Sequence, residues 1–201
     1  MDADEDAEEM YAEESTTAYY SVYPAVSVAN WFIGKTLEYG KAMQEKINLT
    51  PMKLQGMIYL VQSWHLGMIG RPLVSEDFLA WPHGPVLLSL YRELAGVEPG
   101  RINSLLEEPL DFLIDMSEEL PRDSEFILEA VWKTYRERNE SALSFLFHNN
   151  GDPWNTIYQH YEDLGQDMPR STVIPREDIQ RYNEELIGNN KKSEEADGEE
   201  D

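Results

Sequence analysis

The chain has 201 residues, a formal net charge of −23 and no cysteine. A chain of this length supports one domain with a sizeable core. Without cysteine there is no disulfide framework, no thiolate zinc site and no cysteine nucleophile. Residues 1–6 lack the basic and apolar regions of a secretory signal, and no apolar run is long enough to cross a bilayer, so we expect a soluble, cytoplasmic protein.

The negative charge is concentrated at the two ends of the chain. Residues 1–20 carry eight acidic and no basic side chains, and residues 189–201 carry six acidic and two basic ones. Like charges repel and few apolar groups are present, so both segments are predicted to be disordered acidic tails around one domain at residues 21–188. The two tails together carry a net charge of −12, which leaves a net charge of −11 on the domain. This charge favours a basic protein partner and disfavours direct binding to nucleic acid.

Apolar residues at helical spacing predict two helices in the first part of the domain. The first begins at Pro24 and fades at Gly40. The second begins at Pro51, with Thr50 as its N-cap, and ends near Gly70. The apolar stripe that predicts its core face consists of Leu54, Met57, Ile58, Val61, Trp64, His65 and Met68.

Three residues of the second helix carry further expectations. Gly56 costs about 1 kcal/mol relative to alanine inside a helix, which indicates that another element approaches closely there. His65 lies on the apolar stripe, so we interpret it as a hydrogen-bonded core side chain. Lys53 lies in the first turn, where the helix dipole disfavours a cation, and this placement indicates a partner or a buried carboxylate nearby.

Residues 81–86 form the most constrained turn of the sequence, because they hold Trp81, His83, a glycine and two prolines. Each proline fixes φ and removes a backbone donor, and Gly84 reaches dihedral angles that other residues avoid. Residues 75–80, which precede the turn, fit either a short helix or an extended segment. Pro85 predicts the start of a helix that ends at residue 96.

Four further helices are predicted in the second part of the domain. Asp123 or Ser124 caps the first, which fades at residues 137–139. The second spans residues 141–148, the third begins at Pro153, and the last spans residues 175–186 and is capped by Gly188. In the helix capped by Asp123 or Ser124, the residues predicted to face inward are Phe126, Leu128, Val131, Trp132 and Tyr135.

These patterns predict a mainly α fold, a compact multi-helix single domain with one small β-hairpin or short strands. Residues 171–175 read as extended. Residues 110–116 are apolar but flanked by prolines and acids, so a short strand, a β-hairpin, an irregular arm and a helix all remain open there.

The chain has four histidines, His65, His83, His148 and His160. No two of them show the short helical spacing of zinc proteases, so we predict no metal site and no cofactor. His83 and His148 could meet as a general acid or base, with Asp152 orienting one imidazole. We favour a structural role in which both imidazoles pin two turns together over Trp81 and Trp154, because no nucleophile or phosphate-binding glycine loop accompanies them. We therefore predict no catalytic residues and no enzyme.

A series of segments in order along residues 25–187 resembles the Panacea domain. The segments are residues 27–32, residues 49–55, Tyr59 with Trp64 and His65, residues 71–73, residues 80–81 with residues 84–86 and Tyr91, His148 with residues 152–154, and the helix from Pro175. The resemblance implies a mostly helical domain of bacterial and phage-associated proteins, many of which are antitoxins that neutralise a neighbouring toxin by binding it. The two acidic ends depart from the family pattern.

We therefore expect an antitoxin-like interaction protein whose partner is a toxin or another basic protein. Three alternatives stay open: a phage-borne or secreted effector that binds a host protein through the same domain, a histidine-based enzyme, and a domain whose acidic ends mimic nucleic acid. The candidate partner-binding or motif residues are Lys53, Trp81, His83, Tyr91, His148 and Trp154.

Overall fold

A computed structural model of the protein describes residues 22–97, 102–107 and 120–197. Within these ranges the chain forms seven helices and one two-stranded antiparallel sheet, which confirms the predicted fold class. The elements are α1 (Ala25–Met43), α2 (Pro51–Ile69), β1 (Leu79–Trp81), β2 (Gly84–Val86), α3 (Leu88–Glu93), α4 (Arg122–Tyr135), α5 (Glu140–Phe147), α6 (Pro153–Asp163) and α7 (Arg176–Asp197). The predictions for residues 1–20 and 110–116 lie outside the described residues. No described helix has both the length and the apolar character needed to cross a bilayer.

Helix α2 lies at the centre of the fold, in contact with α1, α4, α5, α7 and β2. Its start agrees with the sequence prediction: Thr50 Oγ1 accepts a hydrogen bond from the Lys53 N–H at 3.2 Å, and Pro51 occupies the first turn. Most of the predicted apolar stripe is buried, but Met68 near the helix end is exposed. A helix with neighbours on every side buries polar side chains as well, and each of those needs a partner.

Two buried glutamines of α2 hold connecting segments against the helix. Gln55 exchanges two hydrogen bonds with the backbone of Leu87: the Leu87 N–H donates to Oε1 at 2.9 Å, and Nε2 donates to the carbonyl at 3.1 Å. Gln62 Oε1 accepts from the N–H groups of Leu73 and Val74, both at 2.9 Å. Leaving a buried polar group unpaired costs about 1–3 kcal/mol, so these pairs fix where the chain leaves α2 and where it approaches α3.

His65 is a buried core side chain with partners at both ring nitrogens, as predicted. Its Nδ1 lies 2.5 Å from the Arg71 carbonyl oxygen, which makes Nδ1 the protonated nitrogen. Its Nε2 lies 2.9 Å from Ser124 Oγ and accepts from that hydroxyl. Burial lowers the pKa of His65 because the imidazolium would lose its hydration.

The contact with His65 explains why two predictions for α4 are wrong. Ser124 is buried against the imidazole and does not cap the helix, which follows Pro121 without any side-chain cap. Turning Ser124 inward rotates Phe126 outward, so this residue is exposed and not part of the core. The buried residues of α4 are Ser124, Ile127, Leu128, Val131 and Trp132.

The helix predicted after the turn is present as α3, but its predicted start at Pro85 is wrong, because Pro85 lies in β2 and α3 begins only at Leu88. The register pairs Ala80 with Pro85 across the hairpin. Ala80 turns its N–H away from β2 and donates it to the Thr172 carbonyl at 2.8 Å. The Ala80–Pro85 pair is therefore a non-hydrogen-bonded pair, in which proline needs no N–H. For residues 75–80, the sequence predicts either a short helix or an extended segment. They form the extended segment, which leads into β1.

Helix α7 continues past its predicted end at Gly188 to Asp197, so residues 189–197 of the predicted tail are helical. Helix α6 begins at Pro153, as predicted, and Asp152 is its N-cap, which was not predicted from the sequence. Of the segment predicted to be extended, residue 171 lies in a turn and residues 172–175 are extended. Val173 bridges Leu79 in antiparallel direction, and the Ile174 N–H donates to the Phe78 carbonyl at 2.8 Å.

Glycines set how closely other elements approach α2. A Cβ added at Gly56 would lie 3.3 Å from Phe147 Cζ, which confirms the predicted close approach at this residue. The approach at Gly67 is closer, since an added Cβ would lie 2.6 Å from Asn183 Cβ in α7. The backbones of α2 and α7 can therefore pack at this separation only without a side chain at residue 67.

Replacing Gly67 with alanine is expected to lower the free energy of unfolding by about 1–3 kcal/mol, as overpacking of a core does. Gly34→Ala is the matched control, because Gly34 lies inside α1 and an added Cβ there meets nothing within 4 Å. That change is expected to raise the free energy of unfolding by about 0.5–1 kcal/mol through helix propensity alone. Urea unfolding measures both, and equal stabilities of the two variants would contradict the close approach of α2 and α7.

Candidate functional site

The turn between β1 and β2 is anchored through two indole rings. Trp154 is fully buried in α6, and its Nε1 donates to the Trp81 carbonyl at 2.9 Å. Trp81 Nε1 in turn donates to the Arg170 carbonyl at 2.9 Å. Gly84 completes the turn with φ of 128°, which residues with a side chain rarely adopt. The turn is thus a fixed part of the surface.

The interpretation that the two imidazoles pin these turns together is wrong, because the indoles do so. His148 places Nδ1 2.7 Å from the Ser144 carbonyl, within its own helical turn, and packs edge-on against Trp154 with ring centroids 4.8 Å apart. His83 is exposed. Both histidines line one shallow pocket, together with Phe145, and we call it the histidine pocket.

Asp152 does not orient either imidazole, because its carboxylate caps α6. Its Oδ1 accepts from the N–H groups of Trp154 at 2.9 Å and Asn155 at 3.4 Å. Burial raises the pKa of Asp152 to about 7, against the lowering effect of these two backbone donors. The cap holds the start of α6, and thereby the indole that supports the turn at residue 81.

A groove of about 600 Å³ opens beside this turn. Its walls come from the start of α2, the β1–β2 turn, the α3 segment and one face of α5, and most of the side chains are apolar or aromatic. We call it the aromatic groove, and the side chains that define it are Met52, Trp81, Tyr91, Leu94, Leu143 and Phe147. It adjoins the histidine pocket, with which it shares Met52 and His83.

Several large apolar side chains are exposed at the aromatic groove and the histidine pocket. Met52 is 45% exposed, Tyr91 46% and Phe145 72%. The Tyr91 ring packs edge-on against Trp81 with centroids 4.8 Å apart, and the Arg170 guanidinium lies 5.1 Å from the centre of the Trp81 ring. Aromatic and methionine side chains clustered at a preformed groove are typical of protein-binding surfaces.

Glu140 lies where three cavities meet: the aromatic groove, the histidine pocket and a more polar cavity that contains Lys53. Its Oε1 accepts a hydrogen bond from the Thr50 hydroxyl. Lys53 is only 3% exposed, and its Nζ donates to the Arg136 carbonyl at 2.5 Å. Burial lowers the pKa of Lys53, while the carboxylates of Glu140 and Glu137 act in the opposite direction. The hydrogen-bond partner of the Lys53 ammonium is thus a backbone carbonyl, and Glu140 and Glu137 act on it by charge alone.

The structure brings together only some of the residues singled out from the sequence. Trp81, His83 and Tyr91 line the aromatic groove, and His148 lies in the histidine pocket. Lys53 is buried and lies in the polar cavity. Trp154 is buried and supports the β1–β2 turn from inside. The roles of these six residues in binding a partner stay predictions.

Sequence reasoning missed Met52, Glu140 and Phe145. One signal for Phe145 was available: α5 holds more large apolar residues than one buried stripe of eight residues accommodates, so at least one must face outward. Among the described residues, no three His, Cys, Asp or Glu side chains group closely enough to hold a metal ion.

Comparison with known proteins confirms the resemblance. Residues 54–155 match the family described as Antitoxin SocA-like, Panacea domain. Over 120 residues the chain is 30% identical to Antitoxin SocA of Caulobacter vibrioides (strain NA1000 / CB15N). That alignment covers 58% of this chain and 64% of the relative, which is less than two thirds of the relative's length. No solved structure matches.

Asp152→Asn tests the buried cap. The amide keeps an acceptor for the α6 backbone but does not titrate. The folded pKa of Asp152 is raised to about 7, above an unfolded value of about 3.9. Its contribution to stability is therefore complete below that unfolded value and is lost as pH rises towards about 7. Urea unfolding between pH 5.5 and 8 should show wild type losing stability relative to the variant as pH rises. A difference that stays constant would contradict the raised pKa.

Proposed function

Because the chain belongs to the SocA-like antitoxin family, which is defined by the Panacea domain, we propose that it neutralises a partner toxin by binding it directly through the aromatic groove. The observation that carries the proposal is an open apolar groove whose surroundings expose Met52, Tyr91 and Phe145. Exposed side chains of this kind contribute binding energy when a partner removes them from water.

The groove is prepared for binding before a partner arrives. Trp154 fixes the turn at Trp81 from inside, and Gln55 fixes the backbone of Leu87 on the far side of β2. A partner that binds here does not have to order these segments, and ordering costs about 0.5–1.5 kcal/mol for each immobilised side chain. Rigidity of the turn therefore increases the affinity that a given buried area provides.

Charge supports a basic partner. The net charge of −23 creates a negative field around the whole chain. Such a field speeds the association of a basic protein and slows that of an acidic one, and salt weakens both effects. The apolar groove then supplies short-range affinity, while the overall charge supplies rate and selection among partners.

Two variants test the groove and the adjoining histidine pocket, with the product of the neighbouring reading frame as the toxin: Met52→Ala, at a residue that lines both, and Phe145→Ala, at a residue that lines the pocket. We call them the groove variants. We expect wild type to restore growth when the two proteins are co-expressed. Each groove variant should bind the toxin at least about tenfold more weakly by calorimetry, because it loses an anchor from the interface. Both side chains are well exposed, so the folded chain should retain its stability.

Phe126→Ala and Met68→Ala are the matched controls. Phe126 is 67% exposed and Met68 55%, close to the 72% of Phe145 and the 45% of Met52, and neither control lines the aromatic groove or the histidine pocket. Both control variants should bind like wild type. If the control variants lose as much affinity for the toxin as the groove variants, or if only the control variants lose affinity, the toxin does not bind at the groove.

A further inference from the structure

The aromatic groove is lined by two charged residues, which come from different elements of the fold. Arg170 lies over the Trp81 ring, at the turn. Glu140 begins α5 and lies beside Thr50, at the start of α2. An apolar groove that carries a single carboxylate selects a partner side chain able to satisfy it, because a carboxylate covered without a partner loses its hydration.

Glu140 has unused capacity to accept hydrogen bonds. A carboxylate offers about four acceptor positions on its two oxygens. Thr50 donates to Oε1, and Oε2 has no hydrogen-bond donor among the described residues. The ammonium of Lys53 lies in the polar cavity and donates to the Arg136 carbonyl, so it does not donate to Glu140. Glu140 lines the aromatic groove, so a partner side chain that enters the groove can reach its carboxylate.

The hairpin does not offer a β-strand docking site. In the register with β1, Gly84 and Val86 point their backbone groups towards β1, and Pro85 points outward. Proline has no N–H, so the outer edge of β2 presents no donor at its central position. A partner segment must then be held by side chains that enter the groove and not by an added strand.

We propose that the aromatic groove binds a segment of the toxin in which an arginine stands next to a bulky apolar residue. The guanidinium donates to Glu140, and the apolar side chain packs among Met52, Trp81 and Tyr91. This inference rests on the proposed function, and it specifies the chemistry of the partner segment.

Arginine fits this environment better than lysine for two reasons. Its planar guanidinium donates to both oxygens of a carboxylate at once, and it is less strongly hydrated than an ammonium, so an apolar groove excludes it less. The exposed ring of Tyr91 at the groove adds a surface on which a guanidinium or its stem can lie. The net charge of −23 brings such a basic segment to the surface in the first place.

Glu140→Gln tests the inference, and Glu137→Gln is the matched control. The carboxylates of both residues act to raise the pKa of Lys53, and each change removes one negative charge from the same region. Glu137 is exposed, pairs with Arg136 at 3.2 Å and does not line the aromatic groove. At physiological salt, Glu140→Gln should weaken binding of the neighbouring gene product at least about tenfold, mainly through faster dissociation. Glu137→Gln should leave the affinity within about twofold of wild type.

A double-mutant cycle with the toxin separates this contact from any change in the stability of the chain. Each exposed arginine of the toxin is replaced by glutamine and measured against wild type and against Glu140→Gln. One arginine should account for the difference, so that its replacement makes the two chains bind equally. The inference is overturned if no arginine couples to Glu140 or if Glu137→Gln weakens binding equally.

The two proposals fail in different ways. If wild type does not bind the neighbouring gene product at all, the proposed function fails. If wild type binds and Met52→Ala weakens binding while Glu140→Gln has no effect, the groove remains the binding surface and only the arginine contact is wrong.

Discussion

Burial of most of α2 is the constraint on which the rest of the structure depends. Because helices and β2 surround it, Gln55, Gln62 and His65 are cut off from water and must find partners within the protein. They find them in backbone groups of the connecting segments and in one hydroxyl of α4. Pairing the polar groups of the central helix thus determines where the loops run and how α4 is rotated.

The aromatic groove follows from the same constraint. Gln55 holds the chain after β2, the Asp152 cap holds the start of α6, and Trp154 holds the carbonyl of Trp81. The turn is thereby fixed from both sides while its outer face stays open. Met52 lies just beyond the N-cap of α2 and cannot enter a core that the following turns already fill, so it remains at the surface beside the groove. Rigid support and exposed apolar side chains together suit the site to binding a protein.

Local chemistry determines what could be predicted from the sequence. A cap residue followed by proline marks a helix start regardless of tertiary structure, so the starts at Pro51 and Pro153 were predicted correctly. Pro85 met the same local rule, but pairing with β1 overrides it. The orientation of Phe126 depends on a hydrogen bond between α2 and α4, and the position of Glu140 depends on the contact of α5 with Thr50. Neither contact leaves a periodic signal in the sequence.

The central claim is that the aromatic groove is the surface that binds the toxin. Hydrogen–deuterium exchange tests it most directly, with the full chain measured alone and saturated with the product of the neighbouring reading frame. The account predicts slower exchange of backbone amides in residues 81–95 and 140–148 on binding, with α4 unchanged. Slower exchange confined to α4 or α7, with the groove segments exchanging as in the free chain, would contradict it.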